Sequence, residues 1–250
     1  ASADNTITNA FNSTLTTRGT GSNMGASDIL EVFNIYGQTS SSGGYSVEES
    51  RILINFPISS ISADRTAKFI PVSGSVNFYI KLYNAIHPYT VPDNFTLVAA
   101  PVSSSWTEGY GLDMDEYKDA GVSNWISASS SPRTRLDNGV ASSSWTNQGG
   151  DFLTGSNDST GSQFFTLGTE NLEIDVTARV EKWIAGTTGS YGFGIFLTSS
   201  NAAEARSYYT KKFFGRGSEF ELWRPHLEAR WNSQTADDRG NFYISSSLLS

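Results

Sequence analysis

No cysteine occurs among the 250 residues, which removes disulfides, thiolate zinc sites and thiol catalysis together and leaves the compartment open. No stretch approaches the ~20 continuous apolar residues that a membrane-spanning helix needs, so no membrane partner is expected. The start, Ala1-Ser2-Ala3-Asp4-Asn5-Thr6, has no basic region followed by an apolar one, and no uncleaved signal is read there. Charge is scarce at 17% and leans negative, with Lys+Arg 17 against Asp+Glu 25 and a net charge of -8. A nucleic-acid backbone would be repelled by that balance, so no nucleic-acid partner is expected. The short basic run from Lys211-Lys212 to Arg216, flanked by Glu219 and Glu221, reads as a solvated strand edge whose lysines discourage sheet pairing.

Catalytic signatures are also missing. The two histidines, His87 and His226, both lie beside a proline, and no spacing joins them to a nucleophile or an orienting carboxylate, so they read as turn or surface residues. There is no Gly-x-Ser-x-Gly elbow, phosphate loop, dinucleotide fingerprint or His-Glu-x-x-His. The chain is therefore read as a non-enzyme with no catalytic, cofactor or metal residues, although carboxylate pairs of the glycosidase kind leave no local signature. The acidic stretch Leu112 to Gly121 offers Asp113, Asp115 and Asp119 as oxygen donors. Tyr117 and Lys118 stand where a calcium loop wants an acceptor and a glycine, so solvated loop acids are the better reading.

What is present is β-forming. Hydrophobic residues make up 38% and aromatics 13%, enough for a sizeable core, while Gly 23 and abundant Ser, Thr and Asn suit short strands joined by polar turns. Val76, Phe78, Ile80 and Leu82 alternate with polar neighbours over Ser75 to Tyr83, which predicts a strand with those four side chains inside. Further strands are expected at Ile29 to Tyr36, Arg51 to Phe56, Phe95 to Ala99, Leu172 to Val176, Tyr191 to Thr198, Ser207 to Phe214 and Glu219 to Trp231. Val176, Val180, Trp183 and Ile184 fall at helical spacing before Gly186, which predicts one short helix near 177–185. This inventory points to an all-β protein, an antiparallel β-sandwich of jelly-roll type.

Three regions follow: a loosely ordered N-terminal arm at 1–28, the sandwich at 29–231, and a C-terminal extension at 232–250, with a further domain beyond it left as an open reading. Within the sandwich, residues 101–162 form a long loop system carrying Trp106, Trp125 and Trp145. Burial of each indole to anchor a loop is the leading reading, and the alternative is that Trp106, Tyr110, Trp125 and Trp145 stack on a glycan. The apolar side chains Ile7, Phe11 and Leu15 in the arm, and Phe242, Tyr243, Ile244, Leu248 and Leu249 in the extension, are candidate contacts with a partner.

Several stretches together resemble the DNRLRE family, a jelly-roll domain of extracellular and cell-wall proteins similar to carbohydrate-binding modules. They are Ala3-Asp4-Asn5-Thr6-Ile7, Ser50 to Ile58, Ser105-Trp106-Thr107-Glu108-Gly109, Gly149-Gly150-Asp151-Phe152, Ile174 to Thr177 leading into Val180 to Ile184, Tyr191-Gly192 and Arg224-Pro225-His226-Leu227. Gly111 to Asp119, Glu228 to Trp231 and Asp238 to Tyr243 are similar to structural proteins of tailed bacteriophage particles. That resemblance implies a virion location, other virion structural proteins as partners, a homo-oligomer and no enzymatic role. A carbohydrate-binding module for host or extracellular glycans is the alternative function it implies.

Overall fold

The computed structural model describes residues 1–12, 15–39, 45–112, 123–129 and 143–234. Asp113, Asp115 and Asp119, and the C-terminal Phe242, Tyr243, Ile244, Leu248 and Leu249, lie outside the described residues.

The architecture is an antiparallel β-sandwich. The larger sheet has the order β11 (Tyr208–Phe214), β2 (Ile29–Thr39), β3 (Tyr45–Asn55), β10 (Phe193–Leu197), β5 (Phe95–Pro101) and β8 (Gly161–Phe165), with β1 (Ala3–Thr8) also paired to β3. The smaller sheet runs β12 (His226–Arg230), β4 (Asn77–Leu82) and β9 (Leu172–Asp175), while β6 (Ser127–Ser129) pairs with β7 (Ser143–Ser144) in the loop region. The expected alternation holds: Val76, Phe78, Ile80 and Leu82 are all at most 2% exposed, facing Ile52, Ile54, Leu97, Phe193 and Ile195 across the core. Phe95 stacks flat on Phe165 at 4.9 Å between ring centres within that core.

The predicted helix is α2 (Thr177–Ile184), burying Val180 and Trp183 and closed by Gly186. Its first turn is held by Asp175, whose carboxylate accepts the Thr177 N–H at 2.9 Å. Two further α-helices occur where the sequence reading placed none, α1 (Ile58–Thr66) and α3 (Ser199–Ala203), and a 3-10 turn at Glu221–Trp223 takes the place of the first half of the strand expected over Glu219 to Trp231. In α1 only Ile58 is buried, with Ile61 packed beside it, so the apolar stripe is too short to register as a period. Tertiary contact supplies the rest, with the Arg65 guanidinium forked onto the two Glu181 oxygens of α2 at 2.5 and 2.7 Å.

Two other expectations change. Residues 3–8 are not part of a loose arm: β1 pairs with β3 in register from Ala3↔Asn55 to Thr8↔Ser50. Ile7 is fully buried among Leu53, Val102 and the tryptophans, so it is not free to dock on another molecule. Nor is Lys211 a solvated edge residue, being 1% exposed. The β11–β2 register shifts by one residue between Tyr208 and Lys211, so these side chains three apart both turn inward. Lys212 keeps its surface role and pairs with Glu31 at 2.7 Å.

Candidate functional site

Four regions have the side chains to bind or react. The first is the loop layer on the outer face of β3. Leu53, pointing opposite to Ile52 and Ile54, is covered by Ile7, Val102, Trp125, Ala128 and Trp145, with Trp106, Phe152 and Tyr191 packed at the margin. Trp125 and Trp145 are 4% and 5% exposed, and their rings have no free face for a sugar. The Trp145 and Trp106 indole N–H groups donate to Asn124 O and Tyr191 O, both at 2.8 Å, so all three tryptophans act as loop anchors. Of the four aromatic residues suggested for a glycan, only Tyr110 is strongly exposed.

Polar side chains complete this layer. Asn23 is fully buried: its amide donates to Glu108 O at 2.6 Å and Ser123 O at 2.8 Å, and its oxygen accepts Gly25 N at 3.0 Å and Gly111 N at 2.9 Å. The approach requires glycine, since a Cβ on Gly111 would lie 1.6 Å from Asn23 O. Asn5 binds Ser123 and accepts Met24 N, and Asn124 caps the turn at Ile126 and Ser127. Arg51 lies over the Trp125 ring at 4.9 Å and donates to Gly149 O at 3.0 Å, clamping a second loop. Loops normally have to face water to satisfy their backbone, and these asparagines substitute for it.

The second region is a solvent-facing aromatic patch. Phe214, Phe220 and Trp223 lie 4.6 to 6.1 Å apart between ring centres, and Ile86, Tyr83 and Asn84 line a groove of about 330 Å³ with Phe214 and Trp223. Ile86 is 92% exposed and Leu222, next to Trp223, is 84% exposed.

The third is a groove of about 680 Å³ on the outer face of β2 and β11, lined by Phe33, Ile35, Pro88, Tyr89 and Tyr209, with Glu31, Thr90 and Thr210 as its polar groups. Tyr89 and Tyr209 present open rings, whereas Glu31 is held by Lys212 and by the Thr210 hydroxyl at 3.1 Å.

The fourth surrounds Lys211 at the seam between the sheets. Its ammonium donates to Asn84 Oδ1 at 2.5 Å, Gly168 O at 2.8 Å and Glu170 O at 2.9 Å. The Phe213 and Phe165 rings lie 4.8 and 5.4 Å away. Burial pulls the amine down to about 8, opposed by the charge of Glu170. Gly168 turns its carbonyl toward the amine at a positive φ of 75°, where a Cβ would strike Pro92 O at 1.7 Å. The Lys-Lys pair in the sequence gave no sign of this environment, because the bulge that turns Lys211 inward is a property of strand pairing.

The remaining candidates are dispersed. Phe11 is half-buried under the Arg18 guanidinium at 4.5 Å, and Leu15 is exposed at a positive φ of 53°. His226 sits in β12 against Tyr83, and His87 lies in the loop beside Tyr89. Among the described residues, no three His, Asp or Glu side chains gather as a metal site. No protein-family model matches the chain, and no curated protein matches it.

Proposed function

We propose that this chain is a structural, non-enzymatic subunit of a tailed bacteriophage particle, built on a sandwich of the jelly-roll type and contacting neighbouring virion subunits. The observation that carries the contact is the exposed patch of Phe220, Leu222, Trp223 and Ile86. Apolar surface left in water costs about 25 cal/mol per Å², and covering a contiguous patch with another subunit recovers it. The particle itself rests on the resemblance of 111–119, 228–231 and 238–243 to virion proteins. Leu222→Asp combined with Trp223→Ala tests the reading. The double variant is expected to fold but to enter particles at reduced occupancy, and normal occupancy overturns the assignment of this patch.

One observation favours the alternative of glycan binding. The groove between Tyr89 and Tyr209 offers two open aromatic faces beside hydroxyl and carboxylate acceptors, the composition expected of a small-ligand site. Titration of the isolated chain with oligosaccharides separates the readings. Saturable binding lost in Tyr209→Ala supports the module, and no binding to a broad glycan set removes it.

A further inference from the structure

We propose that the Lys211 side chain and the Asn84 carboxamide join in an intramolecular amide bond that ties the two sheets together. The pair is placed by backbone on both sides. Asn84 follows β4 of the smaller sheet and forms an antiparallel bridge with Phe213 of β11, while Ala85 N bonds Lys212 O and Phe214 N bonds Tyr83 O, both at 3.0 Å. Lys211 Nζ thus lies within a hydrogen bond of the amide, 127 residues away in sequence, in a pocket walled by Phe165 and Phe213. Holding two reacting groups at contact distance turns a sluggish bimolecular amide exchange into an intramolecular one, worth many orders of magnitude in rate.

The chemistry needs no co-reactant. The ammonium gives up a proton, Nζ attacks Asn84 Cγ, the Cγ–Nδ2 bond breaks and Nδ2 leaves as ammonia, which takes the proton and departs as ammonium. One primary amide becomes one secondary amide, the charge is +1 on both sides, and nothing is oxidised or reduced. Burial among the aromatic rings favours the neutral amine, which is the nucleophile. The Glu170 backbone carbonyl accepts from Lys211 Nζ at 2.9 Å, and the Glu170 carboxylate is itself held by the Thr166 and Leu167 N–H groups at 2.8 Å, so this loop fixes the amine beside the carboxamide. Asn84 also lines the groove under Ile86 and Trp223, which gives the leaving ammonia a way out to solvent and makes the step one-way.

The inference does not rest on a place in a particle, because its product is read on the isolated chain. Intact mass spectrometry of the purified, folded chain, incubated at about pH 8, is expected to find it one ammonia lighter than its sequence. Proteolysis is expected to release a branched peptide joining the segments that contain Asn84 and Lys211. Lys211→Arg and Asn84→Ala are expected to keep the full mass. Full sequence mass in the incubated wild-type chain overturns the proposal, and so does an ammonia deficit mapped to any other asparagine.

Discussion

Ile52 and Ile54 point into the space between the sheets, while Leu53 points outward beneath Trp125 and Trp145. One strand therefore has two apolar layers, and they are held in different ways. The inner layer is assembled from strands whose alternation already segregates apolar from polar side chains, and its buried members are almost all hydrocarbon. The outer layer gathers segments from 5–8, 22–27, 102–111, 123–128 and 145–152, and among its buried residues are Asn5, Asn23, Ser123 and Asn124. Packing holds the first, and hydrogen bonds hold the second as much as packing does. A layer of the second kind tolerates less chemical change, because a lost partner strands several buried backbone groups at once.

The sharpest break in this comparison is Asn23→Leu. Removing its amide orphans the Glu108 carbonyl and the Gly25 and Gly111 N–H groups, while Ser123 O keeps Asn5, at about 1–3 kcal/mol for each buried group, so a loss of at least about 3 kcal/mol is expected in urea unfolding. A loss below about 1 kcal/mol would mean that water replaces the asparagine and that the layer is not held as described.

Asp4 tests the polar side of the comparison through pH. Burial raises its carboxyl from 3.8 to about 6, against the lowering effect of the Arg216 N–H that it accepts. The folded chain then binds this proton more tightly than the unfolded chain. The associated stability is full below the unfolded value and is lost as pH rises through about 4 to about 6. Asp4→Asn keeps an acceptor for Arg216 and removes the buried charge. It is expected to stabilise by up to about 3 kcal/mol above that window and to change little below it, as read from urea midpoints at about pH 4 and about pH 7.5. Equal midpoint shifts at the two pH values would show that Asp4 does not titrate in this range.

The smallest effect is expected in the inner layer. Phe193→Leu keeps an apolar side chain against Trp183, whose ring centre lies 4.7 Å away, and is expected to cost about 1 kcal/mol. A cost matching that of Asn23→Leu would erase the distinction between the layers.

Strands β2 to β5 and β9 to β11, the helix near Val180 and Trp183, and the inward parity of Val76 to Leu82 were legible in the sequence because each is a local period of two or of 3.6 residues, which one segment states by itself, whereas β1, β6, β7 and β8 were not. The three tryptophans were legible as anchors by their cost in an otherwise polar stretch, but what they anchor to was not. The burial of Ile7 depends on Leu53 and on loops more than a hundred residues away, and α1 depends on the Arg65–Glu181 fork to a distant helix. Lys211 marks the division most clearly. The sequence determined that a lysine pair would occupy a β-prone run, and both lysines read as solvated there. Which one turned inward, and that it would meet Asn84, was decided by a one-residue shift in strand pairing, because only the partner strand and the closed sandwich fix which face an extra residue exposes.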